Sequence, residues 1–170
     1  MVRYGGKKWS EQTVDTWGLE RQGVLDPESN VQCGEGGVST LSDGKLWRQI
    51  KEQRYLGRKV MEEFVQAGAP AEILVEAHPH IGTFKLVKVV EHLREQIIAL
   101  GGEIRFEQRV VDVLIEDSSK GKQLRGLTVL DVAAGKSYEL AASHVVMALG
   151  HSSRDTFATL FDRGVAMQAK

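Results

Sequence analysis

Asn30-Val-Gln-Cys-Gly-Glu-Gly-Gly-Val-Ser-Thr-Leu-Ser-Asp-Gly-Lys-Leu46 is the stretch on which the reading of this chain turns. Four glycines (Gly34, Gly36, Gly37 and Gly44) stand among Ser, Thr, Asp and Lys with no apolar periodicity. Such a stretch follows backbone paths closed to other residues and lets its N–H groups approach a ligand. A plain flexible linker has no use for the embedded Asn30, Glu35, Asp43 and Lys45, so the composition favours a ligand-facing loop. Composition leaves the ligand open.

The surrounding chain sets bounds. Its 170 residues make one domain of ordinary size or part of a larger one. With 42% hydrophobic and 26% charged residues it reads as globular. Lys and Arg number 22 against 23 Asp and Glu, a formal charge of −1, so no basic field points to a nucleic acid. Cys33 is the one cysteine, which excludes an internal disulfide or a thiolate metal cage and suits a reducing cytoplasm. No apolar run has the length of a membrane span and no signal peptide opens the chain, so neither membrane nor export is expected. Met1-Val-Arg-Tyr-Gly-Gly6 supplies barely one strand before polar sequence begins, as if the chain entered the middle of a fold.

Residues 9–50 are polar and rich in Gly and Trp, with a short helix expected over Ser10–Trp17, capped by Ser10, and Trp9, Trp17 and Trp47 as packing anchors. From Arg54 to Gln66 the positions Leu56, Val60, Met61, Phe64 and Val65 recur at helical spacing. Gly68 stops that helix, and Pro70 opens a short one through Leu74. The best-defined helix starts at Gly82 or Thr83. Leu86, Val89, Val90, Leu93, Ile97, Ile98 and Leu100 form its apolar stripe, and Gly101-Gly102 ends it. The period then shortens. Ile104 and Phe106, then Val111, Val113 and Ile115, alternate as strands do, with a turn at Asp117–Gly121. Leu124–Val132 and Ser137–Leu140 form a hairpin about Ala133-Ala-Gly135. His144-Val-Val-Met-Ala-Leu-Gly150 reads as a strand buried on both faces, followed by a Gly turn and a helix to about Arg163 with Phe157, Leu160 and Phe161 inward. The fold class expected is α/β: a partial doubly wound, Rossmann-like sheet in which an antiparallel β-meander replaces a crossover helix. Its segments are 1–50 (loop-rich), 51–100 (helical), 101–150 (strand, meander and central strand) and 151–170 (helix and tail).

Several residues invite chemistry. Gly150-His-Ser-Ser-Arg-Asp155 opens a helix at the carboxyl end of a strand, where α/β folds bind ligands, although a tight turn capped by Ser152 fits equally. Arg154 is expected to pair with Asp155 or Asp162. His78-Pro-His80 could share a metal, but no further ligand cluster lies near in sequence, and loop packing is the simpler reading. Cys33 has neither a second cysteine nor a basic neighbour and reads as an inert thiol. Glu35 and Asp43 could form an acid/base pair, or be solvated loop carboxylates. GxSxG, HExxH, a Walker A loop and GxGxxG after a strand are all absent from the sequence.

The stretch Asn30–Leu46 closely resembles the NxQFGEGGAGTFSDGKL signature of the uncharacterised FAD-dependent dehydrogenases, bacterial NAD(P)/FAD-dependent oxidoreductases. Ala67-Gly-Ala-Pro70, His78-Pro-His-Ile-Gly-Thr83 and Val145-Val-Met-Ala-Leu-Gly-His-Ser-Ser-Arg-Asp155 agree with the same family. The resemblance implies FAD as cofactor, NAD(P)H as a candidate electron donor and a small-molecule substrate. It implies that Gly34, Glu35, Gly36, Gly37, Ser42, Asp43 and Lys45 lie along the FAD pyrophosphate and ribityl chain. Backbone groups of Val110 or Val111 would meet the adenine, and Ala148-Leu149-Gly150 would face the flavin side. The departures are Val38-Ser39 for the signature's Ala-Gly pair, and Cys33 and Leu41 for its two Phe. The family's opening GxGxxG strand-helix unit has no counterpart in the sequence. The expectation is therefore an internal piece of a larger oxidoreductase that holds FAD weakly or not at all by itself. A second expectation is a non-catalytic remnant or subunit that needs a partner chain, with an unpaired sheet edge open to association. A metal-dependent enzyme using His78 and His80 is the third.

Overall fold

In a computed structural model the residues described are 8–23, 26, 29, 34–35, 44–46, 54–119, 121–150 and 153–168. They fall into two compact units that divide between Ile104 and Arg105.

The first unit is helical. Helix α1 spans Trp9–Gln22, α2 Leu56–Gln66, a 3-10 turn Ala71–Leu74, and α3 Thr83–Ala99. Ala67, Ala69, Ile73, Ile81, Leu86 and Val89 form its buried core, with Leu46, Met61, Phe64, Val65, Val90 and Leu93 packed against them. Helices α2 and α3 end alike. After α2, Gly68 N–H reaches Val65 O and Ala69 N–H reaches Phe64 O; after α3, Gly101 N–H reaches Ile98 O and Gly102 N–H reaches Ile97 O. This double bond at a helix end requires left-handed backbone at the residue past the cap, where glycine carries no Cβ penalty. Gly68 and Gly101 have φ of 105° and 83°. His92 adds a link, its Nδ1 lying 2.8 Å from Ala67 O.

Two expectations for this unit are corrected. Helix α1 is longer than Ser10–Trp17, and Ser10 lies inside its first turn. The Lys8 carbonyl instead accepts from Glu11 and Gln12 N–H. The stripe of α3 is buried only toward its start: Ile98 and Leu100 are 53% and 88% exposed. A helical period marks a face without saying how far along the helix the neighbours extend.

The second unit is built on a three-stranded antiparallel sheet, β1 (Gln108–Ser118), β2 (Gly121–Asp131) and β3 (Lys136–Ala141), in that order, followed by α4 (Arg154–Asp162). Val113 pairs with Leu127 and Val129 with Tyr138, and the pairing of β1 with β2 skips Val111 and Arg125. Val113, Leu127 and Val129 are buried beneath Val110, Ile115, Leu124, Tyr138, Leu140, Val145, Met147 and Leu160. The expected meander is thus present, with its turn at 132–135 held by an Asp131 carboxylate oxygen that accepts from Ala134 N–H at 2.8 Å. That bond, first among its contacts, keeps the Asp131 carboxyl below its usual range.

Three expectations here meet a different outcome. Ile104 and Phe106 lie outside β1, because Glu107 adopts φ 53° and turns the chain just before it. The apolar run His144–Gly150 is not a strand buried on both faces. Val145, Met147 and Leu149 are half-buried while His144, Val146, Ala148 and Gly150 are exposed, Val146 to 91%. An apolar run supplies a strand's side chains, but a strand also needs a neighbour for its backbone groups, and none pairs with 144–150 among the described residues. Phe161 is 69% exposed rather than inward; Leu160 makes the contact with the sheet. Among the described residues no helix is long and apolar enough to cross a membrane.

Candidate functional site

Both ends of the Gly-rich stretch that fall within the described residues are anchored in the first unit. At its end, Lys45 bridges His80 in antiparallel fashion, with Leu46 N–H donating to Pro79 O at 2.9 Å and Ile81 N–H to Gly44 O at 3.2 Å. Two motifs that are 35 residues apart in the chain are therefore joined backbone to backbone. Gly44 permits the approach: a Cβ there would lie 3.2 Å from Leu86 Cδ2 and 3.4 Å from Ile81 Cβ. Ile81 and Leu86 are themselves core residues, so the joint rests on the packed base of α3.

Gly34 and Glu35 sit against α1. Gly34 has φ 141°, and a Cβ on it would overlap the amide group of Gln12, whose side chain is almost wholly buried. The Glu35 side chain is 2% exposed. Its two oxygens each lie 2.6 Å from Nη1 of Arg94 on α3, and Oε2 accepts from Trp9 N–H at 3.1 Å. The carboxylate so meets a cation and the positive end of α1 at once, which offsets the cost of burying it. The side chain of Glu35 is thus engaged by the protein itself.

Beside the joint, His80, Gly82, Thr83, Lys85, Glu72 and Glu76 border an open cleft of about 580 Å³. His78 and His80 are exposed, and among the described residues no group of three metal-ligating side chains forms. Gly36, Gly37, Ser42 and Asp43 lie outside the described residues, as do Asn30, Cys33, Ser39 and Trp47.

In the second unit, Val110 is paired to Val129 and Val111 is the residue passed over in the ladder. A skipped residue leaves its backbone groups outside the sheet's pairing. Ala148 and Gly150 are exposed, and Gly150 has φ 71°. Ser153 stands at the start of α4 but donates its hydroxyl back to Leu149 O at 3.0 Å instead of capping the helix. Among the described residues the ion pair of α4 lies past its other end, at Arg163, and Arg154 forms none with Asp155 or Asp162. Arg163 Nε and Nη2 donate to the two oxygens of Asp112, and Asp112 Oδ1 also accepts from Val113 N–H. The Arg163 bonds, offset by partial burial, hold the Asp112 carboxyl below its usual range. Sequence reasoning missed both this pair and Glu35–Arg94. Separations of 51 and 59 residues leave no periodic signal to find them.

No family model matches the chain. A protein of Clostridium beijerinckii, described as uncharacterized, is 42% identical over 178 residues, an alignment that takes in 100% of this chain and 31% of that protein. The chain thus spans about a third of the length of that relative. Among solved structures it is similar to THI4 of Thermovibrio ammonificans, with a TM-score of 0.56 and 14% identity over 97% of this chain and 62% of the other. This likeness is one of fold.

Proposed function

We propose that the chain is the part of an FAD-dependent oxidoreductase that cradles the cofactor's diphosphate and ribityl chain. The observation that carries this reading is the joint between Gly44-Lys45-Leu46 and Pro79-His80-Ile81, which unites two of the stretches resembling the FAD-dependent dehydrogenases. The overall likeness to THI4 agrees with a flavoprotein-like fold. The residues present fit an anionic group. Arg94 neutralises Glu35, the carboxylate a diphosphate would otherwise oppose, and Lys45 is exposed at the end of the loop. Glycine-rich backbone supplies N–H donors at short range.

In this reading Gly34, Gly36, Gly37, Ser42, Asp43 and Lys45 bind and orient the cofactor, and Glu35 holds the loop. The skipped residue Val111, with Val110, offers backbone groups to the adenine, and Ala148 and Gly150 face the flavin. Flavin, when bound, supplies hydride acceptance; the protein's part is binding and orientation. NAD(P)H is the proposed donor, with the substrate recognised by other parts of a longer enzyme, since the relative is about three times the length of this chain.

The test is a binding titration followed by flavin fluorescence. The expected result is weak, saturable binding of FAD, competed by ADP and not matched by FMN, because the loop is assigned to the diphosphate. Equal affinity for FAD and FMN, or no saturable binding, overturns the reading.

One observation favours a second reading, a subunit completed by a partner chain: the segment 144–150 is mostly apolar, alternates in exposure and is unpaired among the described residues. Co-expression with a GxGxxG-bearing chain distinguishes the two, flavin retained only in the complex supporting the subunit.

A further inference from the structure

Glu35 is the most deeply buried carboxylate among the described residues, and no sequence signal pairs it with Arg94. A buried carboxylate is tolerated only with its charge and lone pairs met. Here three separate pieces of the first unit meet on it: the loop through its own backbone, α1 through Trp9 N–H, and α3 through Arg94. Arg94 stands eleven residues into a 17-residue helix that is tied to the turn after α2 by His92 and seated on the core by Leu86 and Val89. Its side chain, only 20% exposed, is therefore a fixed post rather than a free surface charge.

We propose that Arg94 is the positioning residue of the Gly-rich loop. Through Glu35 it fixes the backbone of Gly34 and Glu35 against the start of α1 before a ligand arrives. A preset loop loses less entropy on binding. That the ligand is the FAD diphosphate rests on the function proposed above; the clamp itself does not. The assignment divides the motif. Glu35 serves the loop through its side chain and the ligand through its backbone only.

The experiment compares the wild-type chain with Arg94→Met, Arg94→Lys and the double variant Glu35→Gln/Arg94→Met. Amide hydrogen exchange at Trp9, Gly34 and Glu35 and FAD titration are read on the same samples. Arg94→Met is expected to speed exchange at Trp9 and Gly34 by at least about tenfold and to weaken FAD by a similar factor, with β2 amides unchanged. Arg94→Lys, which keeps the charge on a differently shaped side chain, should recover part of both. The double variant buries no unpaired charge, so it should regain thermal stability yet keep fast exchange and weak binding. Wild-type exchange in the double variant overturns the clamp. Fast exchange with undiminished FAD affinity overturns the positioning role. If the wild-type chain binds no FAD while the exchange pattern appears as expected, the flavin reading fails and the clamp stands.

Discussion

Replacing Gly34 by alanine tests whether the loop is held where the structure places it. Two costs add. An L side chain at a φ of 141° is strained by about 1–2 kcal/mol. The new methyl also overlaps the amide of Gln12, which is 1% exposed, and displacing a buried amide from its place costs roughly 1–3 kcal/mol. The stiffer unfolded chain returns about 0.4–1 kcal/mol. The net expectation is a loss of about 2–4 kcal/mol, a large share of the stability of a small unit. Gly101→Ala is the control. It has φ 83° and nothing within 4 Å of the new Cβ, so it should cost only about 1 kcal/mol, the backbone term alone. Urea unfolding followed by far-UV circular dichroism gives both values. Adding Gln12→Ala to Gly34→Ala should abolish the steric part, leaving the pair sub-additive. If Gly34→Ala costs no more than Gly101→Ala, or if the two substitutions simply add, Gly34 does not lie on Gln12 and the anchoring of the loop's start is wrong.

Two further outcomes follow from the second unit. Asp112 has its carboxyl held below the usual range by Arg163, so the stability it brings is present above the unfolded carboxylate range and is lost as pH falls through its lowered folded value. Asp112→Asn should lower the thermal midpoint near pH 7 by a few degrees and converge with wild type in acid; a pH-independent difference rejects the pairing. Val146, exposed to 91% in a segment that has no strand partner among the described residues, should mediate association. Sedimentation of a dilution series should show a dimer that Val146→Lys weakens roughly tenfold or more, since a buried Val contributes about 1.5–3 kcal/mol. An unchanged dissociation constant places the contact elsewhere.

Sequence marked the elements whose causes are local. The glycines that stop α2 and α3 act through bonds spanning five residues or fewer, and the period of α3 repeats within one helix, so both are written in neighbouring residues. The hairpin of β2 and β3 is likewise local, a four-residue turn with an aspartate that closes it. The segment 144–150 shows the limit. Its residues alternate in exposure as a strand's do, with Val145 and Met147 on the sheet's core. What makes a strand is the second backbone beside it, and that is not a property of the segment. The same holds for Ile98 and Leu100, apolar and on the right face but beyond the reach of the core.

For the candidate site the division falls between residue type and residue role. The Gly-rich stretch was legible as a stretch with unusual backbone paths because glycine content is a statement about backbone, and Gly34 and Gly44 do hold positive φ, Gly34 against the Gln12 side chain and Gly44 in a backbone joint with Ile81. Glu35 was legible only as an acid in that stretch. The resemblance placed Glu35 along the cofactor, while its carboxylate is engaged by Arg94 and Trp9 N–H. A glutamate whose carboxylate faced a diphosphate would bring two anions together, a repulsion that a buried, low-dielectric setting strengthens. Turned inward onto a cation and a helix start, the same side chain removes that repulsion and ties Glu35 to α1 and α3. If the flavin reading holds, Glu35→Ala should therefore weaken FAD by loosening the loop, while Glu35→Gln, which can still accept from Trp9 N–H, should weaken it less.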